Sequence, residues 1–225
     1  VVVSVLLVFV IPIFESMFKE FGNAELPAPT KIVIQISQGF KSNIIFIIIG
    51  VAAIIYAARR LYQHKKGRVW VDTMSLKLPV FGDLLRKVAV ARFSRTLATM
   101  LTSGVPILEA LEIVGKSAGN KVIEAAIMGV RSSISEGKTM AEPLEESGVF
   151  PSMVCQMIGV GEATGAMDAM LNKIADFYDE EVDSAVEALT SLMEPVMMVF
   201  LGTIIGGLVV AMYLPVFKLA GTVGG

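Results

Sequence analysis

With a single cysteine, Cys155, and a single histidine, His64, in 225 residues, the chain cannot build a disulfide framework and has too few soft ligands for a Cys/His metal centre. Charged residues are sparse, at 18% of the total, and aromatics make up only 8%. No alternating apolar and polar run marks a β-strand, and no Walker A lysine motif supplies a phosphate cradle. A Ser/His/Asp or Cys/His hydrolase would have to recruit His64, which stands in the basic run RRLYQHKKGR; a solvated or headgroup-facing side chain is the simpler reading. No catalytic, cofactor-binding or metal-ligating residue is assigned, and a membrane-bound enzyme is set aside.

What the chain has is hydrophobic length. Apolar residues reach 54% and mean hydropathy is +0.70. Between Glu194 and Lys218 stand 23 residues without a charge. At about 1.5 Å per residue they cross a hydrocarbon core of roughly 30 Å. An acidic amphipathic pattern beginning near Gly165 runs into this segment with no loop signal, so one continuous helix is expected to pass from an aqueous body into the bilayer. A second apolar block, Ser42 to Ala58, is lengthened by Phe40 and by snorkelling of Lys41 and Arg59. The opening run VVVSVLLVFVIPIF has no basic n-region and no small-residue cleavage site, so it reads as the C-terminal part of a truncated transmembrane helix rather than a signal peptide.

Charge sets the direction. From Arg59 to Arg95 ten Lys or Arg face only Asp72 and Asp83, whereas Glu15 to Lys41 carries three of each sign. By the positive-inside rule the basic side is cytoplasmic. The expected organisation is a transmembrane helix over 1–14, an extracytoplasmic loop over 15–41 with a turn at Leu26 to Pro29, and a span over 42–58. A cytoplasmic bundle follows over 59–194, then a span over 195–217 and an extracytoplasmic tail over 218–225. The fold class is thus an all-α membrane protein with a bundle of about six helices and three transmembrane helices.

Periodicity fills in the bundle. Leu85, Ala89, Phe93, Leu97 and Leu101 recur every four residues; Val122, Ile123, Ala126, Ile127, Val130 and Ile134 form a second stripe; Met167, Leu171, Ile174, Tyr178, Val182, Ala185 and Leu189 form a third. All three read as core faces. Breaks fall at Leu78-Pro79 with Gly82, at Ser103-Gly104-Val105-Pro106, at Gly119-Asn120, at Glu136-Gly137, at Ser147-Gly148 and at Phe150-Pro151. GVGEATG at Gly159 to Gly165 imitates a dinucleotide loop but lacks a βαβ unit, so it is expected to be a tight helix-to-helix corner, with Gly161 and Gly165 permitting close approach or positive φ.

Three features bear on partners. Gly202, Gly206 and Gly207 lie in the last span, where small residues allow helices to approach closely, within the chain or between copies as a homo-oligomer; glycine tolerance in a lipid-facing helix explains them equally. Pro195 removes one backbone donor where that span begins and can bend it, beside Glu194, hydrated or hydrogen-bonded between helices. From Gly104 to Pro195 sixteen acidic residues outnumber five basic ones, with Asp176, Asp179, Glu180, Glu181, Asp183 and Glu187 crowded on one helix. Such a surface repels nucleic acid and anionic lipid; it is either a docking face for a basic protein or a solubilising face. The basic section from Arg59 to Arg95 suits membrane lipid.

The strings PVFGDLLRKVAVARFSRTLATMLTSGVPILEAL, GNKVIEAAIMGVRSSISEGKTMAEPL, FPSMVCQMIGVGEATGAMDAMLNKIADFYDEEVD and LMEPVMMVFLGTIIGGLVVAMYLPVF resemble the inner-membrane platform proteins of type IV pili and type II secretion systems, the PilC/GspF type, over most of residues 79 to 217. ARF-x-RTLA, SGVPI, FP-x-MV, GE-x-x-G and the EP opening the last span fall in the family's order, and FYDEEVD with MYLPVF looks more like the pilus branch. The matching positions are Arg92, Phe93, Arg95, Gly104, Pro106, Phe150, Pro151, Gly161, Glu162, Gly165, Glu194, Pro195 and Pro215. Of these, Arg92, Arg95 and Glu162 are candidates for partner contacts or an intradomain ion pair. The resemblance implies a non-enzymatic scaffold without cofactors in a bacterial inner membrane. Its implied partners are a hexameric cytoplasmic assembly or retraction ATPase, small inner-membrane assembly proteins, and pilin subunits entering the fibre. It also implies two homologous cytoplasmic domains, of which this chain holds the second. A transporter or channel would want ionisable groups within its spans, and these offer only Ser4, Tyr56, Thr203 and Tyr213.

Overall fold

The computed structural model describes residues 11–13, 16 and 28–223, and every structural statement here concerns those residues. Their regular structure is entirely helical: α1 (Ala28–Ser42), α2 (Ile44–Gln63), α3 (Lys65–Lys77), α4 (Phe81–Thr102), α5 (Ile107–Ser117), α6 (Lys121–Ser135), α7 (Ala141–Glu146), α8 (Ser152–Thr164) and α9 (Met167–Val223). The chain divides into two compact units, one running from Ala58 to Thr190 and the other made of the segments up to Ala57 and from Ser191 onward.

The Ala58–Thr190 unit is a helical bundle around one apolar core. Phe93 and Leu97 of α4, Leu111 and Val114 of α5, Ile123, Ile127 and Val130 of α6, Leu144 of α7, Ile158 of α8 and Leu171, Ile174 and Tyr178 of α9 are buried together. Phe150, just before α8, tilts its ring against Phe93 with centroids 5.0 Å apart. The three periodic stripes are therefore core faces over most of their length. Their ends depart from the period. Leu85 is 42% exposed, and past Tyr178 the positions Val182, Ala185 and Leu189 are only half-buried. For Leu85 the cause is phase: a strict repeat of four drifts about 40° per step on a helix of 3.6 residues per turn and leaves the buried face, whereas the later α9 positions lie beyond Tyr178, the last of its residues in the core cluster.

Local chemistry fixes the corners. Asn120 precedes α6, and its Oδ1 accepts hydrogen bonds from the Val122 and Ile123 amides at 2.8 and 3.3 Å, satisfying two donors that the helix start leaves without partners. The amide of Lys121 donates to Asp72 Oδ2 at 2.7 Å, and Asn120 Nδ2 donates to the Asp72 carbonyl at 3.2 Å. A buried acid on α3 is thereby made a cap for α6. Between α8 and α9 the corner forms at Gly165, with φ 72°, while a Cβ on Gly161 would lie 3.1 Å from Met167 Cα. The GVGEATG string is a helix end and a turn.

In the other unit, α1 and the last part of α9 meet. Thr30 Oγ1 donates to the Ala211 carbonyl at 2.6 Å, and Ile34 packs with Leu208 and Ile11. Residues 28–41, expected as a loop, are thus helical. Thr30, Ile34 and Ser37 form a buried i, i+4, i+7 stripe whose small polar members disguise it in the sequence. Asn43 interrupts α1 and α2 only briefly, its Nδ2 donating to the Gly39 carbonyl at 2.9 Å. α2 continues to Gln63, past the Ala58 limit, because Arg59 and Arg60 favour helix as well as ending the apolar run. No residue of α2 is buried. α2 and a stretch of α9 are long and apolar enough to cross a membrane. α9 stays helical through Pro195 and on to Val223, so residues 218–223 of the expected tail are also helix. The expected first transmembrane helix lies, apart from residues 11–13, outside the described residues.

Candidate interaction site and family membership

α4 and α9 run in opposite directions and are stitched by charge. Arg95 Nη2 of α4 reaches Asp176 Oδ1 at 2.6 Å and Asp179 Oδ2 at 2.7 Å, one helical turn apart on α9. Two turns earlier on α4, Lys87 Nζ donates to Glu181 Oε2 at 2.8 Å and lies 3.4 Å from Asp83 Oδ2. Hydrogen bonds to Asp179 and Asp176 raise the Arg95 pKa above its ordinary value. The bond to Glu181 raises that of Lys87. Three of the candidate contact residues, Arg95, Asp176 and Asp179, are accordingly engaged with one another.

Glu162 is engaged as well. It sits near the end of α8, and both carboxylate oxygens accept the Met140 amide at 3.0 Å, anchoring the first turn of α7. A carboxylate at a helix N-terminus is favoured by the positive end of the helix dipole. Glu180 and Asp183 take no part in this network; both are exposed and, among the described residues, neither has an ion-pair partner. Arg92 is exposed at the rim of a cleft of about 390 Å³ lined by Tyr62, Asp72, Leu76, Asn120 and Ile123. No carboxylate pairs with it among the described residues.

The glycines of α9 are not at a packed contact. A Cβ on Gly202, Gly206 or Gly207 would meet nothing within 4 Å. Glu194, Met197, Met198, Leu201 and Ile205 line an open groove beside Gly202 and Gly206, and Pro195 lies within the continuous helix. The sequence reading overlooked Lys87 and Asp72. An acid inside the otherwise basic and apolar string KKGRVWVDTM was the available signal for Asp72; Lys87 gave none, since surface lysines are common.

Because these ion pairs are solvent-exposed, their worth is small. A double-mutant cycle between Arg95→Ala and Asp179→Ala, read from unfolding in detergent, is expected to give a coupling of about 1 kcal/mol or less, shrinking at high salt.

The family model described as type II secretion system (T2SS), protein F, matches residues 93–215, more than half of the chain. The chain belongs to this family. The match takes in Arg95, Glu162, the acidic turns of α9 and the open glycine groove. The type IV pilus assembly protein PilC of Myxococcus xanthus is 54% identical over 222 residues, covering 99% of this chain and 53% of that protein. PilC of Pseudomonas aeruginosa is 44% identical over 225 residues, 100% of this chain and 60% of that protein. The type II secretion system protein F of Pseudomonas aeruginosa is 31% identical over 227 residues, 99% of this chain and 55% of that protein. The chain thus spans little more than half the length of these relatives.

Proposed function

We propose that this chain is part of the inner-membrane platform of a type IV pilus assembly machine and acts without catalysis. The observation that carries this reading is the gap in identity between the pilus relatives and the secretion relatives, each aligned over nearly the whole chain. The platform of a type II secretion system is the second reading, supported by the family model itself.

In this proposal α2 and the apolar part of α9 cross the bacterial inner membrane, together with a further span near the start of the chain. The Ala58–Thr190 unit is cytoplasmic, as the excess of Lys and Arg from Arg59 to Arg95 supports. The platform's partners are a cytoplasmic ATPase, pilin subunits, small membrane assembly proteins and lipid. Glu180 and Asp183, free of internal ion pairs, are the acids offered to a basic partner. The ATPase displaces the acidic part of the bundle, and α9 carries that displacement to the groove at Gly202 and Gly206, where a pilin helix or a second copy can approach closely. What supports this route is that α9 is helical without interruption from Met167 to Val223.

Deletion of the gene is expected to remove surface fibres while leaving enzyme secretion into the medium intact. Both are scored in the same strain, by electron microscopy and by activity in the culture supernatant. Intact fibres with lost secretion would assign the chain to the secretion machine.

A further inference from the structure

Helix α3 exposes an apolar stripe that is unusual on a water-soluble bundle. Its residues Lys66, Val69, Trp70, Thr73, Met74 and Lys77 fall at i, i+3, i+4, i+7, i+8 and i+11, one continuous stripe, and all of them but the half-buried Thr73 are exposed. The face toward the core holds Leu76, packed against the core cluster, and the buried Asp72, whose carboxylate accepts the Lys121 amide, while Gly67 lies against Leu61 at the end of α2. A helix packed on an aqueous domain should show the reverse, with its acid outside and its tryptophan inside. Trp70 is the protein's only tryptophan, yet it is 58% exposed. The apolar surface continues past the helix. A tight turn in which the Phe81 amide donates to the Pro79 carbonyl at 2.8 Å holds Val80 at φ 69° and leaves Phe81 58% exposed.

We propose that the Lys66–Lys77 stripe of α3, extended by Phe81, is a membrane-surface element that embeds in the headgroup region of an anionic bilayer. The inference rests on the reading of α2 as a membrane span. Chain length then restricts the occupant. α3 begins two residues after α2 ends, and at no more than about 3.5 Å per residue Lys66 stays within roughly 10 Å of Gln63. The stripe has the composition of an interfacial helix: an aromatic and two aliphatic side chains at its centre, and a lysine at each end whose stem lies along the apolar surface while its ammonium reaches the phosphates. Arg59 and Arg60 add positive charge on the approach, where anionic lipid attracts it. A protein partner would have to compete with a bilayer that the preceding helix has already brought within reach.

The test uses the native tryptophan. The full chain is reconstituted into vesicles of phosphatidylcholine and phosphatidylglycerol, and into vesicles of phosphatidylcholine alone. Trp70 fluorescence is followed with lipids brominated near the headgroup end of the acyl chain and with aqueous iodide. The expected result is loss of most of the emission to brominated lipid and near-immunity to iodide in the mixed vesicles, with weaker lipid quenching in the neutral ones. The variant with Lys66→Glu and Lys77→Glu, whose side chains face outward, is expected to lose the difference between the two vesicle types while keeping wild-type helicity. Strong iodide quenching, or shielding from iodide with no response to brominated lipid, would overturn the proposal, the second outcome placing Trp70 against protein. Equal lipid quenching in both vesicle types overturns the role given to the lysines. Protein that does not float with the vesicles refutes the span reading of α2; protein that floats but leaves Trp70 in water refutes only this inference.

Discussion

A flexible Gly-Ser-Gly-Ser insert after Leu189 is expected to abolish surface fibres while the protein remains at its normal level in the membrane fraction. The site lies beyond Tyr178, the last buried residue of α9 in the bundle core, so the insert removes no core contact. It acts on the helix alone. Each glycine in a helix interior costs about 1 kcal/mol relative to alanine, and two glycines with two serines replace a rigid turn by a joint. If displacement of the bundle reaches the apolar end of α9 through the backbone of that helix, a joint dissipates it. A control separates stiffness from length. Seven residues of strong helix formers at the same place add about two turns, shift the phase by only ~20° and keep the rod rigid, so fibre assembly should persist at a reduced level. Electron microscopy, twitching and immunoblotting of membranes read all three strains. Normal fibres with the Gly-Ser insert would remove α9 as the route of transmission, and so would equal loss in both insert strains.

The parts of this architecture that were legible in the sequence are those whose cause is local. The long uncharged run after Glu194, the stop and proline at Ser103 to Pro106, and the breaks at Gly119-Asn120 and Phe150-Pro151 can be read from a few adjacent residues, because turn chemistry, proline geometry and bilayer thickness act over short distances. α1 was not legible. Its buried stripe consists of Thr30, Ile34 and Ser37, and only the distant Ala211 carbonyl explains why a threonine should be inside. The acidic crowd on α9 was visible as composition but not as geometry: nothing in the sequence divides Asp176 and Asp179, taken up by Arg95, from Glu180 and Asp183, which stay free. Long-range pairing makes that division. The orientation of α3 was hidden for the same reason, since Asp72 is inward only because the start of α6, far along the chain, needs a cap.

The first core stripe shows how far a period can be trusted, and it yields a stability prediction. Leu85 and Leu97 belong to the same four-residue repeat of α4 and are chemically identical, but each step of four advances about 40° around the helix, so they lie roughly 120° apart. Leu97 is fully buried, whereas Leu85 is 42% exposed. Truncating Leu97 to alanine removes its transfer free energy and leaves a cavity among side chains from several helices, so Leu97→Ala should destabilise the bundle by about 3 kcal/mol. Leu85→Ala vacates surface already in contact with solvent and should stay within about 0.5 kcal/mol. Leu97→Met, nearly volume-conserving, should cost less than about 1.5 kcal/mol. Pulse proteolysis of the detergent-solubilised protein over a denaturant series measures all three variants. The ranking Leu97→Ala, then Leu97→Met, then Leu85→Ala follows from burial and not from periodicity. If Leu85→Ala proved as costly as Leu97→Ala, the core would extend to the start of α4, and the apolar surface running from α3 through Phe81 would be an interior surface instead of a lipid-facing one.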